Sequence, residues 1–484
     1  MVGRWLEGMA YVSSRTASLG VPVYPYASAW TFRPDVWAER TRHAHARQHQ
    51  TVSRGRWNVV SLPCAAFALP GGTRPVDLKS GHPYWLVKNG LLHAFPRLAE
   101  EVRCDVLIVG AGITAALIGD HLARAGLQVC VIDRREAGWG STAASTALLQ
   151  YEIDTELQDL AERYGIDDAV LAYRSCLQAI GSLRRLTRNL RGIDFQPMQS
   201  LYFASRWYHQ RRIEREGALR RAHGFKLEIL QRAALQQRFG IDSGAGLLTP
   251  VAAETDPYQL AHRLLGRIEA RGGRVHARTA LERFTPVRGG VHVETDGGVS
   301  IRCQQLVFAA GYEAQRWIDQ SVASNRSSYA FVSEPLPGLL GPLDKTLVWE
   351  SARPYLYLRR TPDDRLLVGG EDDHVDIPMR RDALVERRAE TLRRRVLALF
   401  PALPLKVAFA WAGTFAETED GLPFFGPHEQ HGPRVHFALA YGGNGITYSL
   451  IGAELLRDRF LGKSHPCTAL FGFPRLKRKA GRSG

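Results

Sequence analysis

The stretch from Cys104 to Arg135, CDVLIVGAGITAALIGDHLARAGLQVCVIDRR, constrains the fold more than any other part of the chain. A short apolar run closes on glycines, an amphipathic helical pattern follows and ends at a glycine, and a second apolar run closes on an acid. That order is a βαβ unit. Gly110 permits a tight turn out of the strand, and Gly112 lets the backbone approach a pyrophosphate. The helix beginning at Ile113 then offers free N–H groups and a partial positive charge. The third position of such a turn packs helix against strand and needs only a small side chain, which Ala115 supplies. Asp133 stands where an acid, about 20 residues past the turn, accepts hydrogen bonds from the adenosine ribose hydroxyls. Arg134 and Arg135 could pair a 2′-phosphate, but the acid beside them favours the free hydroxyls. The expectation is a dinucleotide-binding α/β domain.

The rest of the chain is long enough for a second domain, since 484 residues exceed what one simple core holds. Hydrophobic residues at 45% and charged ones at 23% match globular averages. No apolar run reaches the roughly 18 residues of a membrane span. Lys and Arg number 63 against 48 Asp and Glu, a formal charge of +15. The excess is spread through helical patterns such as RWYHQRRIEREGALRRAH and MRRDALVERRAETLRRR with acids interleaved, so nucleic acid is not the expected partner. Six cysteines, Cys64, Cys104, Cys130, Cys176, Cys303 and Cys467, lack metal spacing, and Cys104 and Cys130 in apolar runs suggest buried thiols of a reducing, cytoplasmic compartment. No metal is expected, because the acidic trio Asp372, Asp373 and His374 has no further ligands near it.

Residues 1–75 carry little periodicity and many arginines and histidines, and are expected to be disordered or loosely attached. An organellar transit segment, or a start site assigned too far upstream, would read the same way. Strand patterns with turn residues between them occupy RVHARTALERFTPVRGGVHVETDGGVSIRCQQLVFAAGYE, and another set occupies SSYAFVSEPL, TLVWES, PYLYLRRT and RLLVGGED. The end, PRLKRKAGRSG, reads as a disordered basic tail.

Three downstream features distinguish a flavin from a nicotinamide. GWGSTAASTALLQYEID follows the second strand with small hydroxyl residues, Ser141, Thr142, Ser145 and Thr146, suited to a backbone lying against pyrophosphate and flavin. LVFAAGYEA closes an apolar strand on Gly311. DGLPFFG precedes FALAYGGNGITYSLIGAELLRD, where glycines open a helix whose N-terminus stabilises negative charge on a reduced flavin.

In this order the motifs resemble the FAD-dependent oxidoreductases of the D-amino-acid oxidase family, the group that includes glycine oxidase and sarcosine oxidase. The resemblance covers roughly Asp105 to Phe460. It implies an α/β fold: a Rossmann-like FAD-binding domain with a discontinuous second domain built on an antiparallel sheet that roofs the flavin. Residues 76–155, 256–320 and 406–465 would form the first, 156–255 and 321–405 the second, and 466–484 the basic tail. It carries over phosphate contacts at Gly110, Gly112, Thr114, Ser141 and Thr142, a ribose contact at Asp133, and flavin contacts at Gly443, Asn444, Gly445, Ile446 and Thr447. Ile113, Arg134, Ser145, Thr146 and Gly311 are further candidate cofactor contacts from the residue pattern. WAGTFAETEDGLP has no cysteine and the GSTAAS loop no histidine, so FAD is expected to be non-covalent.

The implied chemistry takes a hydride equivalent from a carbon bearing nitrogen to flavin N5, in an amine or amino acid, with oxygen reoxidising the flavin. Where relatives of the sarcosine oxidase branch have a lysine, NRSSYAFVSEP offers Arg326, so a quinone or other carrier is the alternative acceptor and a hydroxy acid an alternative substrate. An RNA-linked flavoprotein is a further alternative. Arg353 is the candidate for a substrate carboxylate, by its bidentate fork, or else a structural ion pair. Tyr355 and Tyr357 share a strand face, looking into the site or packed, and Tyr441 closes the pocket or packs. Glu152 and Asp154, after the flavin loop, and Glu371 and Asp372 are acids that could hold a cationic amine or stay solvated.

Overall fold

Runs with no polar alternate, such as Val129–Ile132, are buried on both faces, and they make the first of two sheets. The computed structural model describes residues 78–374 and 376–480, so the expectations for residues 1–75 and for the final four residues lie outside it. The first sheet runs in the order Phe424–Pro427, Val435–Leu439, Ser300–Phe308, Val102–Val109, Val129–Ile132 and Arg274–His276. All pairs from Val435–Leu439 onward are parallel, and Phe424–Pro427 joins antiparallel. A hairpin of Leu281–Val287 and Gly290–Thr295 continues antiparallel from Ser300–Phe308. Helices Ile113–Arg124, Pro257–Glu269 and Gly445–Phe460 pack together beside this sheet through Leu117, Ile118, Leu264, Leu265, Ile268 and Leu450. Strand order reverses beside Val102–Val109, and at such a switch point an open parallel sheet leaves a crevice at its carboxyl ends.

The second sheet has ten strands, among them Val407–Glu417, Ser324–Ser333, Leu366–Asp373, Leu356–Arg360, Thr346–Glu350, Gln196–Phe203 and Ala245–Glu254 in that order. It departs from the expected antiparallel pattern at one pair, since Thr346–Glu350 runs parallel to Gln196–Phe203. The chain between those strands passes through the first sheet, so no hairpin imposes an antiparallel return. One face is covered by helix Pro378–Leu399, whose Val385, Ala389, Leu392 and Val396 pack on Phe331, Leu358 and Val368. Lys79–Gly81, Leu148–Gln150 and Val407–Glu417 hydrogen-bond within this second sheet.

Two local expectations are corrected. RWYHQRRIEREGALRRAH splits into a 3-10 turn at Trp207–His209 and a helix at Gln210–Ala222. The segment read as a loose basic tail is anchored: Phe471 is in the core, and fully buried Arg475 donates to Asp420 Oδ2 at 3.0 Å and to Pro423 O at 2.8 Å. A buried guanidinium needs a partner, and that partner lies 55 residues away, beyond the reach of local composition.

Arg359, 1% exposed on strand Leu356–Arg360, ties the second sheet to the chain leaving the glycine-rich loop. It donates from Nη1 to Glu254 Oε2 at 2.7 Å and from Nε to Thr146 O at 3.0 Å. Arg359→Met leaves Glu254 buried without its partner, and a loss of about 3–5 kcal/mol is expected. Equilibrium denaturation checks this, and an unshifted transition would refute it.

Candidate active site

Gly110 leaves strand Val102–Val109 at φ +112°, and a Cβ there would lie 2.3 Å from Ala309 O. Only glycine fits both the angle and the space. The next amide, Ala111 N, donates to Asp133 Oδ2 at 2.7 Å, and Arg135 N donates to Asp133 Oδ1 at 2.8 Å. Burial pushes the Asp133 carboxyl upward, and these two backbone donors pull against that rise. Helix Ile113–Arg124 has no side-chain cap of its own, and Thr142 Oγ1 accepts from Ile113 N at 2.9 Å instead.

Helix Gly445–Phe460 opens on the same cleft from the other side. Thr114 Oγ1 and Ser449 Oγ are 2.8 Å apart, so a hydroxyl pair locks the two helix starts together. Asp154 Oδ2 accepts from Gly443 N at 2.7 Å, and Asn444 Nδ2 donates to the carbonyls of Gln150 and Glu152. Burial raises the Asp154 carboxyl, opposed by the Gly443 N–H and by Arg353.

A single cleft is bordered by Gly110, Gly112, Ile113, Thr114, Asp133, Arg134, Ser141, Thr142, Ser145, Thr146, Gly311, Gly443, Asn444, Gly445, Ile446 and Thr447. Arg353, Tyr355, Tyr357, Tyr441, Asp154 and Asp372 border it too. Several of these side chains are engaged with protein. Arg134 and Arg135 both pair with Glu313, which the sequence offered only as an acid two residues after Gly311. Ser141 Oγ donates to Thr414 O at 3.4 Å, and Ser145 Oγ accepts from Ala147 N at 3.1 Å. Tyr441, 1% exposed, donates to Gly311 O at 3.2 Å and so holds the turn that follows strand Ser300–Phe308.

The roof of the cleft is charged and aromatic. Arg353 does not present an open fork: Nη1 donates to Glu417 Oε1 at 2.9 Å, Nη2 to Asp154 O at 3.3 Å, and the guanidinium lies 4.7 Å over the Tyr355 ring. Glu417 is shared with Arg326, whose Nε is 2.7 Å from its Oε2. Glu417, Tyr312 and Trp349 also border the cleft and were not marked in the sequence, where an acid closing a strand and an aromatic inside one carry no distinguishing signal. Burial is the main cause holding Tyr357 up, at about 12, with the Asp372 charge adding to it.

Glu371 and Asp372 part company at a β-bulge. Ser327 pairs with Asp373 and Tyr329 with Gly370, so one intervening residue faces two. Gly370 sits at φ +136° and a Cβ on it would be 1.9 Å from Tyr355 O, while Glu371 follows at φ +55°. Glu371 goes to the covering helix, accepting from Arg388 Nη1 at 2.9 Å and pairing with Arg395. Asp372 goes to the cleft. Burial pushes Asp372 up to about 6; Asp154 and Glu417 add to the rise, and Ser328 and Arg353 oppose it. Glu152, read as a possible amine ligand, is corrected: it is fully buried outside the cleft lining, accepting from Thr249 Oγ1 at 2.8 Å with Arg220 at 3.9 Å.

These features fit a flavin dinucleotide: a turn with no room for a Cβ, two helix N-termini on one cleft, and a continuous passage from them to the aromatic roof. A family model described as FAD dependent oxidoreductase matches residues 105–459. The chain is 25% identical over 412 residues to the gamma-glutamylputrescine oxidoreductase of Escherichia coli (strain K12), spanning 83% of this chain and 93% of that one. It is 23% identical over 369 residues to a glycine oxidase of Bacillus licheniformis, covering 74% and 94% of the two. Among solved structures, glycine oxidase from Geobacillus kaustophilus superposes with a TM-score of 0.64 at 20% identity, covering 77% of this chain and 98% of that one.

Gly110→Ala is expected to leave little or no flavin bound after gel filtration, because the added methyl group must displace the Ala309 carbonyl. The flavin-to-protein absorbance ratio measures it, and a ratio equal to that of the unsubstituted protein would show that the turn tolerates a side chain.

Proposed function

Because the chain belongs to the D-amino-acid oxidase family of FAD-dependent oxidoreductases, we propose that it oxidises a C–N bond of an amine or amino acid, with FAD held non-covalently and oxygen as electron acceptor. The observation that carries this reading is the single cleft running from the Gly110 turn to a roof of tyrosines and carboxyls. Bound FAD supplies the two-electron acceptor for the hydride equivalent that leaves the carbon attached to nitrogen.

The protein's own groups bind, orient and exclude water. The turn at Gly110 and the amides opening helix Ile113–Arg124 past Ile113 N, which Thr142 holds, would bind the pyrophosphate, since the first amides of a helix have no intrahelical acceptor. Gly445, Ile446 and Thr447, opening helix Gly445–Phe460, would place a partial positive charge against the electron-rich edge of the flavin ring. Asp133 would keep its ribose role with lone pairs left over from Ala111 and Arg135. Tyr355, Tyr357 and Tyr312, which border the cleft, would wall the substrate end and limit its water.

Non-covalent attachment is supported by the absence of cysteine from WAGTFAETEDGLP and of histidine from the GSTAAS loop. Among the described residues no helix is long and apolar enough to cross a membrane. Cytoplasmic placement is supported by free thiols at Cys104, Cys130, Cys176, Cys303 and Cys467.

Acid precipitation is expected to release all the flavin into the supernatant; flavin that stays with the pellet would refute non-covalent binding. Anaerobic mixing with a panel of amines and amino acids is expected to bleach the flavin, and air to restore it with hydrogen peroxide. Recovery only on addition of a quinone would replace the oxidase by a dehydrogenase. Failure of every amine and amino acid to bleach FAD-loaded protein would overturn the reading.

A further inference from the structure

The substrate end of the cleft holds an imbalance of charge. Three carboxyls border it, from Asp154, Asp372 and Glu417. Glu417 is occupied by Arg326 and Arg353, and Asp154 by the Gly443 N–H. Arg353, the cation among the lining residues best placed for a substrate carboxylate, spends its guanidinium on Glu417, on the Asp154 carbonyl and on the Tyr355 ring. Asp372 differs from all of these: its Oδ1 is shut off from solvent and has no hydrogen-bond partner, although the residue borders the cleft. Ser328 hydrogen-bonds the carboxyl, but a carboxylate with one oxygen buried and unpartnered, and with no ion-pair partner, is costly and favours a cation. No protein cation pairs with it, and Tyr357 on the neighbouring strand borders the cleft with an aromatic ring that suits a positive charge.

We infer that the cleft takes an amine, cationic in solution, with no carboxylate on the reacting carbon, and that Asp372 binds its ammonium group and accepts the proton the nitrogen must lose before the hydride equivalent leaves the carbon. This rests on the oxidoreductase reading above. Beside the bulge at Gly370 and Glu371, Glu371 turns to the arginines of helix Pro378–Leu399 and Asp372, the next residue, to the cleft. An α-amino acid would meet a roof whose arginine is already neutralised and whose carboxyls repel its carboxylate.

The groups facing Asp372 are Asp154 after strand Leu148–Gln150, Glu417 on Val407–Glu417, Arg353, Tyr355 and Tyr357 around Leu356–Arg360, and Ser328 on Ser324–Ser333. Only the ionised carboxyl attracts an ammonium, while an alkylammonium stays charged up to about pH 10. Amine affinity should therefore be full above the Asp372 titration and fall as pH is lowered through about 6.

The test uses the FAD-loaded full chain, titrated with butylamine and 1,4-diaminobutane against glycine and proline. Binding is read as perturbation of the oxidised flavin spectrum, and reduction as anaerobic bleaching. The expected result is binding and bleaching by the amines, with glycine and proline at least about tenfold weaker. Asp372→Asn should weaken amine binding about 10- to 100-fold and remove its pH dependence near 6, while flavin content stays unchanged and the thermal midpoint does not fall, since a carboxylate that burial disfavours is removed. Asp372→Glu, which keeps the carboxylate, should recover part of the affinity; should the asparagine variant fail to fold, the pH profile and amine preference of the unsubstituted protein still decide. Tighter binding and bleaching by glycine or proline, with Asp372→Asn indifferent, would overturn the inference and leave the oxidoreductase reading standing. Loaded flavin that no amine or amino acid of the wider panel reduces would overturn both.

Discussion

Two helix N-termini, at Ile113 and Gly445, open on one cleft, and their like partial charges have to be held together and compensated. The Thr114–Ser449 hydroxyl pair does the first. Two carboxylates do the second, in the same way at each end: Asp133 accepts from Ala111 N and Asp154 from Gly443 N, each at 2.7 Å. Both carboxyls are lifted by burial and lowered again by the backbone donor. The two helix starts thus present backbone donors to the cleft with built-in counter-charge, an arrangement that fits an anionic dinucleotide.

The second sheet depends on that arrangement because it closes over the same cleft. Its apolar face is sealed by helix Pro378–Leu399, so its polar face is free to carry function. Along strand Leu366–Asp373, which carries one extra residue against Ser324–Ser333, two adjacent acids point to opposite faces. Glu371 becomes a structural counter-ion for Arg388 and Arg395, and Asp372 becomes a cleft group. A strand in regular register would also alternate faces, but the bulge with its positive-φ pair allows Tyr355 O to approach Gly370 as closely as it does. Arginine pairing follows the same logic: Arg359 and Arg475 are buried with acids and carbonyls, where Arg's planar fork satisfies several acceptors at once.

Much of this is legible in the sequence. The βαβ unit, its two glycines, the acid at Asp133 and the helix opening at Gly445 all follow from patterns within a few residues, because turns, caps and periodicity are local physics. The strands from Arg274 to Asp373 were legible for the same reason, apart from the parallel pairing of Thr346–Glu350 with Gln196–Phe203. What escaped was pairing across the chain. Glu417 meets Arg353 over 64 residues, Asp420 meets Arg475 over 55, and Glu313 meets Arg134 over 179. No spacing rule extends beyond the three or four residues of a helical turn or the two of a strand.

From sequence alone came the α/β class, the dinucleotide turn and the family resemblance, since each rests on short motifs whose residue types are dictated by backbone geometry. Tertiary structure alone decided that Arg353 is neutralised, that Glu152 is sealed away from the cleft, and that Glu371 and Asp372 serve opposite faces of one strand. The physical reason is that a charge takes its role from whichever partner the fold brings within hydrogen-bond reach, and that partner lies on another strand, helix or loop.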